Sequence, residues 1–105
     1  MALFDDVLDE LLADPRVARG VFFGHAGAKL GKRVFACEVD GDLLVKLGAE
    51  RVVELQRAGA ARVFDPMGGR PMNAWALIPE PDSGDPVRAW VELAEEAKDS
   101  LADEA

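Results

Sequence analysis

Over residues 2–13, Leu3, Phe4, Val7, Leu8, Leu11 and Leu12 recur at helical spacing, with Asp5, Asp6, Asp9 and Glu10 set between them. That period predicts an amphipathic helix with one apolar and one acidic face. Asp14-Pro15 ends it, because the residue before a proline avoids the helical region. Residues 17–23 are β-branched and aromatic and read as a strand. Gly24-His25-Ala26-Gly27 is expected to loosen its end as a bulge or a bend. Gly31-Lys32 marks a turn into a strongly apolar strand over 33–39. Asp40-Gly41 is a hairpin signal, since both residue types tolerate positive φ, and residues 42–47 return as a third strand.

Residues 49–58 alternate Val52, Val53 and Leu55 with Glu50, Arg51, Glu54 and Arg57 and stop at Gly59, as a short helix with a glycine end does. A short strand over 61–64, turn chemistry over 65–69 and a partner strand over 71–78 follow. Residues 79–84 form a loop. Asp85-Pro86 opens a last helix, with aspartate as cap and proline at the first helical position. Val87, Trp90, Val91, Ala94, Ala97 and Leu101 line one face of it, and Glu92, Glu95, Glu96 and Asp99 the other. The expected architecture is α-β-β-β-α-β-β-α, a two-layer α+β domain with one five-stranded antiparallel sheet, spanning residues 1–105 as a single domain.

Composition narrows the chemistry. With 105 residues and 50% hydrophobic content the chain can bury one core. No apolar run approaches the ~18 residues of a membrane span, and no basic and apolar leader opens the chain, so a cytoplasmic protein is expected. Cys37 is the one cysteine, which excludes an internal disulfide and a multi-cysteine zinc site. Threonine and tyrosine are absent, Ser83 and Ser100 are the only serines, and His25 is the single histidine. A nucleophile, base and orienting group cannot be assembled from these, so a non-enzyme without cofactor or metal is expected. Gly27 and Gly31-Lys32 lack the spacing, the following Ser or Thr and the helix of a phosphate-binding loop. Gly24-His25-Ala26-Gly27 lacks the basic residues and flanking helices of a nucleic-acid clamp. Cys37, mid-strand, reads as a buried inert thiol.

Formal net charge is −8, with −5 on residues 1–14, +4 on 15–70 and −7 on 71–105. The overall sign disfavours a phosphate backbone or an anionic membrane as partner. The basic middle could still gather Lys29, Lys32, Arg33, Arg62 and Arg70 on one surface, or simply be a sheet of mixed charge flanked by acidic helices. Trp75 and Trp90 are large anchors for a core or an interface, and the 64–72 stretch with Met67 and its turn glycines is expected to form a mobile lip beside Trp75.

In order and spacing, Phe22-Phe23-Gly24, Gly31-Lys32, Phe35-Ala36 and Leu44-Val45-Lys46 resemble the N-terminal domain of TfoX/Sxy proteins. The family pattern runs Met-Phe-Gly, Gly-Lys-x-Phe-Ala and Leu-Tyr-Leu-Lys. The likeness continues through Phe64, Gly69-Arg70, Met72, Trp75 and Pro79 and covers roughly residues 14–98. Phe22 stands in place of the usual methionine, His25 where glycine is common, and Leu44 and Trp75 where the family has tyrosine. The resemblance implies an α+β domain without catalytic residues and a regulatory role. Full-length members act with the cyclic-AMP receptor protein on competence promoters and carry a second, helical domain, which this chain is expected to lack. The expected function is a bacterial regulatory or protein-interaction module that meets a protein partner or itself. The candidate surface comprises Phe23, His25, Lys32, Arg33, Met67, Arg70 and Trp75. The alternative is a small-ligand domain with an apolar pocket between sheet and last helix near Trp75, Trp90, Met67 and Met72.

Overall fold

The structure is a computed structural model that describes residues 3–103. The expected start of the first helix at residue 2 and the chain ends of the 1–105 domain lie outside them. Three helices, α1 (Leu3–Leu11), α2 (Ala49–Arg57) and α3 (Pro86–Asp103), accompany six strands. The strands are β1 (Val17–Phe22), β2 (His25–Leu30), β3 (Arg33–Val39), β4 (Asp42–Lys46), β5 (Arg62–Val63) and β6 (Trp75–Ile78). All pairings are antiparallel, in the order β1-β2-β3-β4-β6-β5. The α+β class and the sequence of elements follow the periodicity, but the sheet has six strands rather than five.

The extra strand comes from the segment read as a bulge. Phe22 pairs with His25, so Phe23 and Gly24 alone form the turn, at φ 49° and 79°. Two consecutive positive φ values make the tight turn whose twist suits a hairpin, the same geometry that Asp40 and Gly41 adopt at 51° and 87°. An aromatic residue is a poor candidate for the left-handed region, which is why residue pattern alone continues the strand through Phe23. The expected strand over 71–78 is likewise shorter. Residues 71–74 are irregular: the Ala74 carbonyl accepts from the Leu47 and Gly48 amides, at 3.0 and 3.1 Å, where the chain passes from β4 to α2.

One face of the sheet carries α1 and α3 and the main core, in which Phe4, Val7, Leu11, Phe35, Leu43, Val45 and Trp90 are buried. The cap of α3 is the expected one: the Asp85 carboxylate accepts from the Arg88 amide at 3.0 Å. Trp90 Nε1 donates to the Pro79 carbonyl at 3.2 Å, which satisfies the polar end of the ring in the core. The opposite face carries a second cluster, Cys37, Leu44, Phe64 and Trp75.

The second face is concave. Phe22 on β1 and Trp75 on β6 stack with centroids 4.5 Å apart and planes at 19°. In a flat sheet those strands, four spacings apart, would lie about 19 Å from each other. Two local features let the sheet roll. Gly20 and Gly27 face each other across β1 and β2, and Gly27 sits opposite Cys37. A methyl at Gly27 would lie 2.4 Å from the Ala36 carbonyl oxygen and 2.6 Å from Cys37 Cβ. Beside it the register shifts: Ala28 pairs with Ala36 and Lys29 with Val34, so Phe35 has no partner across the ladder. That bulge sends the neighbouring Phe35 and Ala36 into the main core and returns Cys37 to the concave side.

Lys98 on α3 is the one charged residue buried among the described residues, at 6% exposed. It donates to Asp14 at 3.0 Å and pairs with Glu95, so it joins the turn between α1 and β1 to α3. The Arg16 side chain and amide also donate to Asp14, at 2.8 and 2.9 Å, and these bonds with that of Lys98 hold its carboxyl well below the usual range.

Two outcomes follow from this packing. Gly27→Ala should lower stability by about 1–3 kcal/mol, the cost of overpacking where backbone must move, measured by urea denaturation. The depressed Asp14 carboxyl contributes stability that is complete above its unfolded pKa of about 3.9 and is lost as pH falls towards the folded value. Asp14→Asn should therefore flatten the acid limb of a thermal-stability profile below about pH 4 while lowering stability at neutral pH.

Candidate functional site

The rolled sheet leaves a groove where the Phe23-Gly24 and Asp40-Gly41 turns meet the segment after β5. Its volume is about 560 Å³, and its lining includes Phe23, His25, Val63, Phe64, Pro66 and Met67. Three of the exposed large apolar side chains gather on this rim, Phe23 at 55% exposed, Val63 at 54% and Met67 at 71%, while Val21 and Val53 lie away from it. Aromatic contacts tie the rim to the second cluster. Phe23 meets Phe22 edge to face at 4.7 Å and Phe64 at 6.2 Å, and Phe22 stacks on Trp75.

Each side of the groove has a local cause. On one side, the two-residue turn raises Phe23 off the end of β1 at positive φ, where its ring cannot join the row of side chains on either face. On the other, Asp65 folds the lip into a compact loop. Its carboxylate accepts from the Gly69 and Arg70 amides at 2.8 and 3.2 Å, and these bonds, Gly69 foremost, hold the carboxyl below its ordinary pKa. The Met72 amide then donates to the Phe64 carbonyl at 2.8 Å, closing the loop over residues 64–72. Met67 stands at its tip.

The structure thus brings together Phe23, His25 and Met67 from the expected surface. Trp75 is 6% exposed and stacks on Phe22, which in turn meets Phe23, so it lies inside the fold behind the rim. Arg70 is exposed on the lip loop. Lys32 and Arg33 are elsewhere, at the β2–β3 turn, one strand length from the groove. The basic middle is divided in the same way. Lys29, Lys32 and Arg33 belong to the β2–β3 hairpin, whereas Arg62 sits on β5 at the other edge and is ion-paired with Asp42. Trp75 and Trp90 lie on opposite faces of the sheet, in separate clusters, so no pocket is shared between them. Val63 lies outside the surface expected from the sequence, and Phe64 is expected only as the start of the lip. Val63 reads as half of a short strand, and its exposure follows from β5 being only two residues long at the sheet edge.

Cys37 lies on the concave side, fully buried, and burial pushes its thiol up to about 12. No group of three or more His, Cys, Asp or Glu residues among those described is placed to hold a metal ion. Nor is any described helix long and apolar enough to cross a membrane. Comparison with protein families, with curated proteins and with solved structures gives no match.

Because thiolate reactivity needs both access and deprotonation, Cys37 should be modified by a thiol reagent at pH 8 only as fast as the domain opens. Labelling in native buffer should be slower than in 6 M guanidinium by at least about a thousandfold for a fold of ordinary stability, followed by mass spectrometry.

Proposed function

We propose that the chain is a non-catalytic protein-interaction module of the regulatory kind, similar in type to the N-terminal domain of TfoX/Sxy proteins, and that it holds its partner at the Phe23–Val63–Met67 rim. The observation that carries this reading is Phe23: a bulky residue kept at φ 49° with its ring 55% exposed. A left-handed conformation costs a non-glycine residue about 1–2 kcal/mol. Glycine or asparagine at that turn would relieve the strain, whereas the aromatic ring, though it packs on Phe22 and Phe64, leaves more than half of its surface in water. Local strain of this kind gathers at binding sites. Aromatic residues and methionine are also the side chains enriched in the cores of protein interfaces.

The groove volume of about 560 Å³ also lies in the range of small-molecule sites. Against that second reading, Phe23 and Met67, which line it, are each more than half exposed, so the groove is open rather than enclosed. It suits an apolar side chain of a partner lodged between Phe23 and Met67.

Phe23→Gly tests the reading with two measurements of opposite sign. Stability should hold or rise by up to about 1 kcal/mol, the relieved strain less the lost ring contacts. A photo-crosslinking residue at Met67 should give a defined protein adduct in cells, which Phe23→Gly reduces by more than about tenfold, as loss of a hot-spot aromatic does. A crosslinker at Glu92, on α3, serves as the control. Adducts equal at both positions, or unchanged by Phe23→Gly, would refute the assignment.

A further inference from the structure

The two edges of the sheet are unlike. β5 offers two residues, whereas β1 offers six, with no proline and with unbroken register against β2. Because Phe22 and His25 flank a two-residue turn, they form a hydrogen-bonded pair. Alternation along an antiparallel ladder then turns the amides of Ala18, Gly20 and Phe22 towards β2, and those of Val17, Arg19 and Val21 outward. The Val17 N–H donates to the Asp14 carbonyl at 2.9 Å, closing one end of the edge. The N–H and C=O groups of Arg19 and Val21 remain on the open edge, and the Val21 side chain is 70% exposed. An open row of this length is a template for another strand.

Charge selects the occupant. Residues 15–37 contain no aspartate or glutamate but include Arg16, Arg19, Lys29, Lys32 and Arg33, in a chain of net charge −8. Arg16 is bound to Asp14, while Arg19 lies exposed on the edge strand itself. Lys29 stands across from Ala18 on β2. A second copy docking edge to edge would set one basic hairpin against another, with Arg19 opposite or diagonal to its counterpart, which is unfavourable.

We propose that the β1 edge accepts an acidic, extended segment of a partner protein by strand addition. Its backbone pairs with Arg19 and Val21, its carboxylates lie beside Arg19, and its alternate apolar side chains lie beside Phe22 and the aliphatic stem of Lys29 that covers Gly20. Main-chain bonds supply affinity and the charges supply selectivity. This site is separate from the groove and stands or falls without it.

The probe is an acetylated, amidated heptapeptide, Val-Glu-Val-Glu-Val-Glu-Val, titrated into the isotope-labelled chain and followed by NMR. Amide shifts and slowed amide exchange should centre on Arg19 and Val21. The lysine counterpart should bind at least about tenfold more weakly, and Arg19→Glu, an exposed change, should reverse that preference. Methylating the peptide nitrogens along its bonding edge should abolish the exchange protection. The proposal is overturned by no shifts at ~1 mM peptide, by equal binding of the methylated peptide, or by a single-stranded oligonucleotide producing the same protection at β1. It is overturned equally by a dimer that occupies β1 without peptide. Shifts confined to Phe23, Val63 and Met67 would assign the peptide to the groove and overturn the edge site alone.

Discussion

The shape of the domain rests on the close approach of β2 and β3 at Gly27, where a single methyl group would meet the Ala36 carbonyl at 2.4 Å. The Phe35 bulge lies beside that contact, and together they bend the sheet enough for β1 to come over β6. The bend divides the apolar residues into two sets. Phe35 and Ala36 enter the core under α1 and α3, while Cys37 and Leu44 line a concave side closed by Phe22 and Trp75. Without the bend, the Phe22–Trp75 stack would have no geometry in which to form, and the concave residues would lie open to water.

The groove is a consequence of that closure. Phe22 points down onto Trp75 and Phe23, its neighbour, is turned out by the positive φ of the hairpin. One residue of the pair therefore completes the fold and the other is presented at the surface. The lip opposite is held by main-chain bonds to Asp65 rather than by apolar burial, which leaves Met67 free to stand at its tip. A surface built this way is fixed in position on both sides yet exposes apolar area, the combination that suits capture of another chain.

Electrostatics separates the molecule in a second direction. The acidic excess sits on the terminal helices, where Lys98 ties α3 to Asp14 in the turn between α1 and β1. The β1–β2 hairpin carries cations without nearby acidic residues in sequence. The two open features, a basic strand edge and an apolar groove, meet at the Phe23-Gly24 turn, so a partner extended along β1 would approach the rim from one end.

The helices, the Asp40-Gly41 hairpin, the Asp85 cap and the α+β class are decided by local rules: spacing of apolar positions, turn residues and caps act within a few residues. They are legible from the sequence for that reason. The sequence also determines the charge distribution and the scarcity of nucleophilic groups. The sixth strand was hidden because it depends on Phe23 adopting a conformation that its own steric preference opposes, and only the tertiary frame enforces it. Trp75 and Trp90 look alike in sequence, yet β6 turns Trp75 to the concave face while α3 carries Trp90 into the core on the other. Val63 and Phe64 became groove residues only because distant strands are brought round by a curvature that no local pattern encodes. Curvature is set by long-range packing of side chains across a sheet, and packing of that kind exists only once the chain has folded.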